Sequence, residues 1–192
     1  MLSIEEMNLY LKSNLLEKRY MHTLGVADTA KRLAKLNGVS EKKAEIAGLA
    51  HDVAKNLSID KMREIIKENN VIISEIEEKN MNLWHSIVAP IEAKDKLGID
   101  DDEILDAIRW HTTGKEDMST LTKIIYIADM IEPGRNFDGV DEIRRATFEN
   151  LDKGVYFGLT SSIKVLLARN LLIDENTIKA RNYFLFNPEF KL

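Results

Sequence analysis

Cysteine is absent from the 192 residues, which excludes disulfides and thiolate ligands, so any metal must be held by nitrogen and oxygen. Proline and glycine are scarce, three and nine, and no Pro/Gly/Ser-rich stretch marks a linker or a disordered tract. No apolar run approaches the ~20 residues of a membrane span. The opening residues, Met1-Leu-Ser-Ile-Glu-Glu, have neither the basic flank nor the apolar core of a signal peptide. A cytoplasmic protein with no membrane role is the expectation. Lys and Arg are outnumbered, 27 against 32 Asp and Glu, giving a formal net charge of -5, and no basic block occurs. Nucleic-acid backbones are held by clustered Lys and Arg, so no nucleic-acid partner is expected. Any phosphate bound here must meet local cations or a metal.

With 44% hydrophobic residues the chain can bury a real core, and a single domain spanning 1–192 is expected. Apolar residues recur at helical spacing almost throughout. Ser3 with Glu6 forms a capping box ahead of Ile4, Met7, Leu11 and Leu15. From about Lys18 to Asn37 an inward face repeats at His22, Val26, Ala30 and Leu33, then stops at Gly38. Ser40 caps a third helix with Ala44, Ala47, Gly48, His51 and Ala54 on one narrow face; Lys55 then shares the side of His51, and Asp52 lies about 100° around. Ser58 opens a helix with Met62, Ile65 and Ile66 inward, and the charges from Glu75 to Lys79 read as a solvated face. His85 falls near a helix start, with Pro90 expected to kink or interrupt that helix. Asp100 with Glu103 is expected to cap the stripe Ile104, Ile108 and His111. Ser119 caps Leu121, Ile125 and Asp129, so a carboxylate stands where an apolar residue is due. Amphipathic segments at about 140–150, 153–169 and after Asp174 follow, with no strand-like alternation. The fold is predicted to be all-α.

The chemistry concentrates in Glu45-Ile-Ala-Gly-Leu-Ala-His-Asp-Val-Ala-Lys55, where a buried-looking run carries an imidazole, a carboxylate and an ammonium. Desolvating all three without partners is costly, and a metal with an anionic substrate gives each one a partner. The chain has four histidines, His22, His51, His85 and His111, each on or beside an apolar helical stripe. Taken singly, an inward histidine is usually a hydrogen-bonded core residue. The set with Asp52 and Asp129 is different, because a purely structural role demands several independently buried polar groups. Together, His22, His51, Asp52 and Asp129 make a nitrogen and oxygen donor set suited to iron, manganese, cobalt or zinc. Such a metal lowers the pKa of bound water and polarises a phosphoryl oxygen.

In order, His22, His51-Asp52, His85, His111 and Asp129 resemble the H…HD…H…H…D pattern of the HD-domain metal-dependent phosphohydrolase superfamily, over roughly residues 18–135. The resemblance implies an HD-domain helical bundle with the metal site at its centre, residues 18–135 as the metal-binding core, and helices in 140–192 completing the bundle and the nucleotide site. Further features, His51-Asp-Val-Ala-Lys55, Trp110-His111-Thr112-Thr113-Gly114, Ile127-Ala-Asp129 and Glu132-Pro-Gly-Arg135, are similar to the bacterial YqeK-like family of symmetrical dinucleoside tetraphosphatases. That similarity implies splitting of diadenosine tetraphosphate into two ADP, iron as the metal in one or two ions, and a small-molecule dinucleoside polyphosphate or nucleotide as the partner; a homodimer stays open. Composition and spacing alone stop at a metal-dependent phosphohydrolase. They leave room for a 5'-nucleotidase, a cyclic-nucleotide phosphodiesterase or a non-catalytic nucleotide-binding sensor.

His85 and His111 have two open roles, ligands of a second metal bridged by Asp52, or donors to the phosphates with one protonating the leaving group. Lys55 and Arg135 are the expected phosphate cations, Arg135 with a bidentate option, and Thr112 adds a hydroxyl. By resemblance Ile173, Asp174 and Thr177 lie on the nucleoside side. Plainer alternatives are a snorkelling Lys55 and an Arg135 that meets the carbonyls ending the helix of Asp129. Tyr183, Phe184, Phe186, Trp84 and Trp110 read as core packing.

Overall fold

Short polar side chains set where most of the helices begin. In the computed structural model, which describes residues 1–191, Ser3, Ser40, Ser58, Ser74 and Ser119 each accept a hydrogen bond from the backbone N–H three residues on. The helices are α1 (Ile4–Asn14), α2 (Glu17–Leu36), α3 (Glu41–Ala50), α4 (Ile59–Glu68), α5 (Glu75–Lys79), α6 (Trp84–Leu97), α7 (Asp102–Trp110), α8 (Thr120–Ile131), α9 (Val140–Glu149), α10 (Leu151–Ala168) and α11 (Glu175–Phe186), with one 3₁₀ turn at Met81–Leu83. Among the described residues there is no strand, as the periodicity predicts.

The centre of the bundle is α8, whose Ile124, Ile125, Ile127 and Ala128 are fully buried, so it is apolar on nearly every side and must be surrounded. It packs against α2, α3, α7, α9 and α10. Close approach of α2 and α3 depends on small residues: a Cβ added at Gly48 would lie 2.7 Å from the Ala27 Cα. The same device seats α10 on α8, where a Cβ at Gly158 would meet the Ile127 Cδ1 at 2.8 Å. These contacts carry side chains from α2, α3, α6, α7 and α8 to one buried point.

Four local expectations are corrected. First, α3 ends at Ala50, and residues 51–57 continue as tight turns with Val53 N–H on Ala50 O (3.0 Å) and Lys55 N–H on Asp52 O (2.9 Å). His51 Nδ1 lies 2.7 Å from Gly48 O, the carbonyl a continuing helix would give to Asp52 N–H, so the wheel position assumed for Asp52 does not apply. Second, the cap of α7 is Asp101, while Asp100 pairs with Lys94. Third, α6 continues through Pro90 without interruption. Fourth, the segment 75–79 is not wholly solvated, because Glu77 is buried, pairs with Arg109 at 2.5 Å, and its carbonyl accepts from Trp84 Nε1. The local charge pattern of α5 does not reveal that Arg109 of α7 reaches Glu77.

Candidate metal centre

Five segments deliver the predicted set to one place: His22 from α2, His51 and Asp52 from the turn after α3, His85 from the first turn of α6, His111 from the end of α7 and Asp129 from α8. Asp52 lies among the four imidazoles. Its Oδ2 is 3.4 Å from His51 Nε2 and 3.9 Å from His22 Nε2, and its Oδ1 is 3.5 Å from His85 Nε2 and 3.7 Å from His111 Nε2. Asp129 Oδ1 lies 2.9 Å from His22 Nε2 and 4.0 Å from His51 Nε2. The carboxylate of Asp52 thus offers one oxygen to each pair of histidines.

The rings are held so that Nε2 points inward. His51, His85 and His111 each direct Nδ1 at the backbone carbonyl three residues back, Gly48, Asn82 and Ile108, at 2.7 Å in every case. A carbonyl only accepts, so each Nδ1 is the donor and each neutral Nε2 is left with a lone pair. The Nε2 atoms of His85 and His111 are 3.2 Å apart, two acceptors facing one another, and a cation between or beside them relieves the contact. Lys55 Nζ, 3.1 Å from His85 Nε2, is one such cation. His22 Nε2, His51 Nε2 and Asp52 Oδ1 are buried without a hydrogen-bond partner, although buried polar groups are normally paired. The donor atoms of His22, His51 and Asp129 lie within 4.8 Å of one another, as do those of His51, Asp52 and His111. Unpartnered lone pairs converging from imidazole and carboxylate fit a divalent cation of the first transition row.

The electrostatics agree. Burial pushes the Asp52 carboxyl up, but His51, His111 and His85 around it outweigh that and hold it well below the usual carboxylate range. Asp129 is likewise lowered: burial opposes ionisation, and the adjacent imidazoles of His22 and His51 and the Arg135 guanidinium favour it. Burial carries His85 down to about 3 and His111 down to about 4, each reinforced by a neighbouring imidazole. For His51 burial acts downward too, and the charges of Asp52 and Asp129 win, raising it. Burial lowers the Lys55 ammonium against the attraction of Asp52.

A cavity of about 790 Å³ opens from this cluster. Lys55, His85, His111, Thr112, Asp129, Arg135, Asp174 and Thr177 all line it, so the phosphate-side and nucleoside-side candidates share one space. Ile173 is half-buried and is not among the lining side chains. Arg135 makes the contact of the plainer alternative, Nε donating to Asp129 O at 2.7 Å, and also pairs through Nη2 with Asp129 Oδ1 while keeping 37% of its side chain exposed. Trp84 and Phe184 are core residues as expected, whereas Phe186 is 78% exposed because α11 ends there on the surface.

Two residues of the site escaped sequence reasoning. Arg19 Nη1 pairs with Asp52 Oδ2 at 2.7 Å; only its position three residues before His22, on the same helix face, signalled it. Glu132 Oε1 lies 3.1 Å from His22 Nδ1, and its signal was the Glu132-Pro-Gly-Arg135 motif, which follows Asp129 closely.

Comparison with known proteins agrees with this geometry. The HD domain family model matches residues 19–134, which contain all six cluster residues. The chain is 37% identical to the symmetrical bis(5'-nucleosyl)-tetraphosphatase of Bacillus subtilis, over 93% of this chain and 96% of that one. It is 39% identical to the protein of the same name from Halalkalibacterium halodurans, over 93% and 95%. A crystal structure described as a predicted HD superfamily hydrolase involved in NAD metabolism, from Clostridium acetobutylicum, superposes with a TM-score of 0.93 at 46% identity, covering 97% of this chain and 98% of that one. The chain therefore belongs to the HD-domain family, in the group that contains the symmetrical bis(5'-nucleosyl)-tetraphosphatases.

Proposed function

We propose that this chain is a metal-dependent phosphohydrolase that splits diadenosine tetraphosphate symmetrically into two ADP. The observation that carries the reading is the junction of the four-histidine, two-carboxylate cluster with a cavity whose walls hold Lys55 and Arg135. The activity named for its relatives supports the choice of substrate. Iron is the proposed metal, with manganese, cobalt or zinc able to occupy the same nitrogen and oxygen set. His22, His51, Asp52 and Asp129 are its proposed ligands; Asp52 Oδ1 with His85 and His111 forms a second donor group that would hold a further ion if two are bound. When bound, the metal supplies Lewis-acid polarisation of a phosphoryl oxygen and a lowered pKa for the attacking water.

The remaining work falls to the chain's own side chains. Lys55 and the free N–H groups of Arg135 neutralise the polyphosphate and hold its middle against the cluster. Thr112 adds a hydroxyl donor at the same wall. Burial keeps His85 and His111 neutral near pH 7, which favours lone-pair donation over proton donation, so the charge of the departing ADP is met by Lys55 and Arg135. Met130, Phe137, Val165, Leu166, Leu171 and Leu172 give the outer cavity an apolar wall suited to a nucleoside, with Asp174 and Thr177 as its polar groups. On this basis 140–192 completes the nucleotide side of one domain, 1–192.

A substrate panel tests the assignment. Metal-loaded protein is incubated separately with diadenosine tetraphosphate, AMP and cyclic AMP. ADP from the first alone supports the proposal, adenosine and phosphate from AMP moves the chain to the nucleotidases, and tight binding without turnover makes it a sensor.

A further inference from the structure

Three of the four histidines of the cluster share one device, and the fourth does not. His51 and His111 stand at the ends of α3 and α7, where carbonyls of the last turn have no helical partner, and His85 stands where the 3₁₀ turn meets α6. Each therefore finds a carbonyl three residues back for its Nδ1–H. His22 is the sixth residue of the twenty-residue α2, and the carbonyl three residues back, that of Arg19, is committed to the N–H of Thr23 in the helix ladder. Its Nδ1 has instead a buried carboxylate, Glu132 Oε1, at 3.1 Å.

We propose that Glu132 is a positioning residue for the metal centre: it fixes the ring orientation and tautomer of His22 so that Nε2 meets the metal, the part that main-chain carbonyls play for the other three histidines. The surroundings are shaped for this. Glu132 is 5% exposed, and its Oε2 accepts from Gly134 N–H at 2.6 Å. Two glycines keep space for the carboxylate, since a Cβ at Gly25 would lie 2.7 Å from Oε2 and one at Gly134 would lie 3.0 Å from both oxygens. Arg144 ties down the loop by donating to the carbonyls of Ile131 (2.9 Å), Glu132 (2.9 Å) and Arg135 (2.7 Å). A carboxylate behind a ligating imidazole fixes its tautomer and raises its basicity.

The inference rests on the metal-centre reading, and the test separates the two. Metal-stripped wild-type protein, Glu132→Gln and Gly25→Ala are titrated calorimetrically with Mn²⁺, melted without metal, and assayed for KM and kcat with diadenosine tetraphosphate at saturating Mn²⁺. Glu132→Gln keeps the side-chain volume. Gly25→Ala keeps the carboxylate but displaces it from His22, while favouring the helix itself. The expected result is a Kd for Mn²⁺ raised about 10- to 100-fold in both variants, a metal-free melting temperature not lowered in Gly25→Ala, and an unchanged KM. Wild-type affinity in both variants, or losses of affinity that only follow losses of melting temperature, would overturn the proposal. A wild-type protein that binds no Mn²⁺ overturns the metal centre and this inference with it.

Discussion

Replacing Asp52 by asparagine removes one negative charge and almost no volume from the middle of the cluster. Asp52 is 2% exposed and has an oxygen within 3.9 Å of the Nε2 of every histidine in the chain, so no neighbour can substitute for it. Two unit charges 4 Å apart at an effective dielectric of about 20 interact by about 4 kcal/mol, and a divalent ion feels the carboxylate more strongly than a monovalent one. The Asp52→Asn variant is therefore expected to bind Mn²⁺ at least about 10³-fold more weakly. The fold survives, because Arg19, the ion-pair partner left behind, is 29% exposed and can turn to water, and such a partly solvated pair contributes about 1 kcal/mol. Calorimetric titration of the metal-stripped variant, with ADP release from diadenosine tetraphosphate measured in parallel, reads both quantities. A variant that binds Mn²⁺ within tenfold of wild type, or turns over at a similar rate, would refute the placing of Asp52 at the centre.

Other expectations follow from the same geometry. Because burial holds His85 at about 3 and His111 at about 4, below the ordinary value of 6.5, the unfolded chain binds protons between these limits that the folded chain refuses. In the metal-free protein these two histidines thus contribute their full stabilisation above about pH 6.5 and lose up to about 1.4 kcal/mol per pH unit each as the pH falls through that window, whereas His51, raised, acts in the opposite sense above 6.5. Urea denaturation in EDTA at about pH 7 and about pH 5 measures this, and equal stabilities would contradict it. Gly48→Ala should destabilise by about 1–3 kcal/mol, since its Cβ meets the backbone of Ala27, and a melting curve like that of wild type would argue against the close α2–α3 contact. Lys55→Gln should leave the Mn²⁺ affinity intact and raise KM or lower kcat; unchanged kinetics would remove Lys55 from the phosphate site.

The clustering of the four histidines with Asp52 and Asp129 was legible from sequence because it uses every histidine in the chain and because each polar residue interrupts an apolar stripe that the packing of α2, α3, α6, α7 or α8 must bury. Four helix starts were legible for a local reason, the caps Ser3, Ser40, Ser58 and Ser119. What the sequence concealed depends on contacts between distant segments. Helical periodicity carried His51, Asp52, Ala54 and Lys55 onto α3, whereas the His51 side chain competes for the Gly48 carbonyl and the helix stops at Ala50. Glu77 looked solvated because Arg109, its partner, lies 32 residues away. Glu132 stood in a motif already noticed, yet its partner is 110 residues distant, and only the folded chain brings the two together.

The most direct test couples metal to turnover in one titration. Protein stripped with chelator is reloaded stepwise with Fe²⁺ or Mn²⁺, the bound metal is measured, and the products from diadenosine tetraphosphate are separated by anion exchange. ADP as the sole nucleotide product, appearing in proportion to bound metal and absent in the Asp52→Asn variant, is the expected result. ATP with AMP, or hydrolysis that persists in the stripped protein, would contradict a metal-dependent symmetrical cleavage at this cluster.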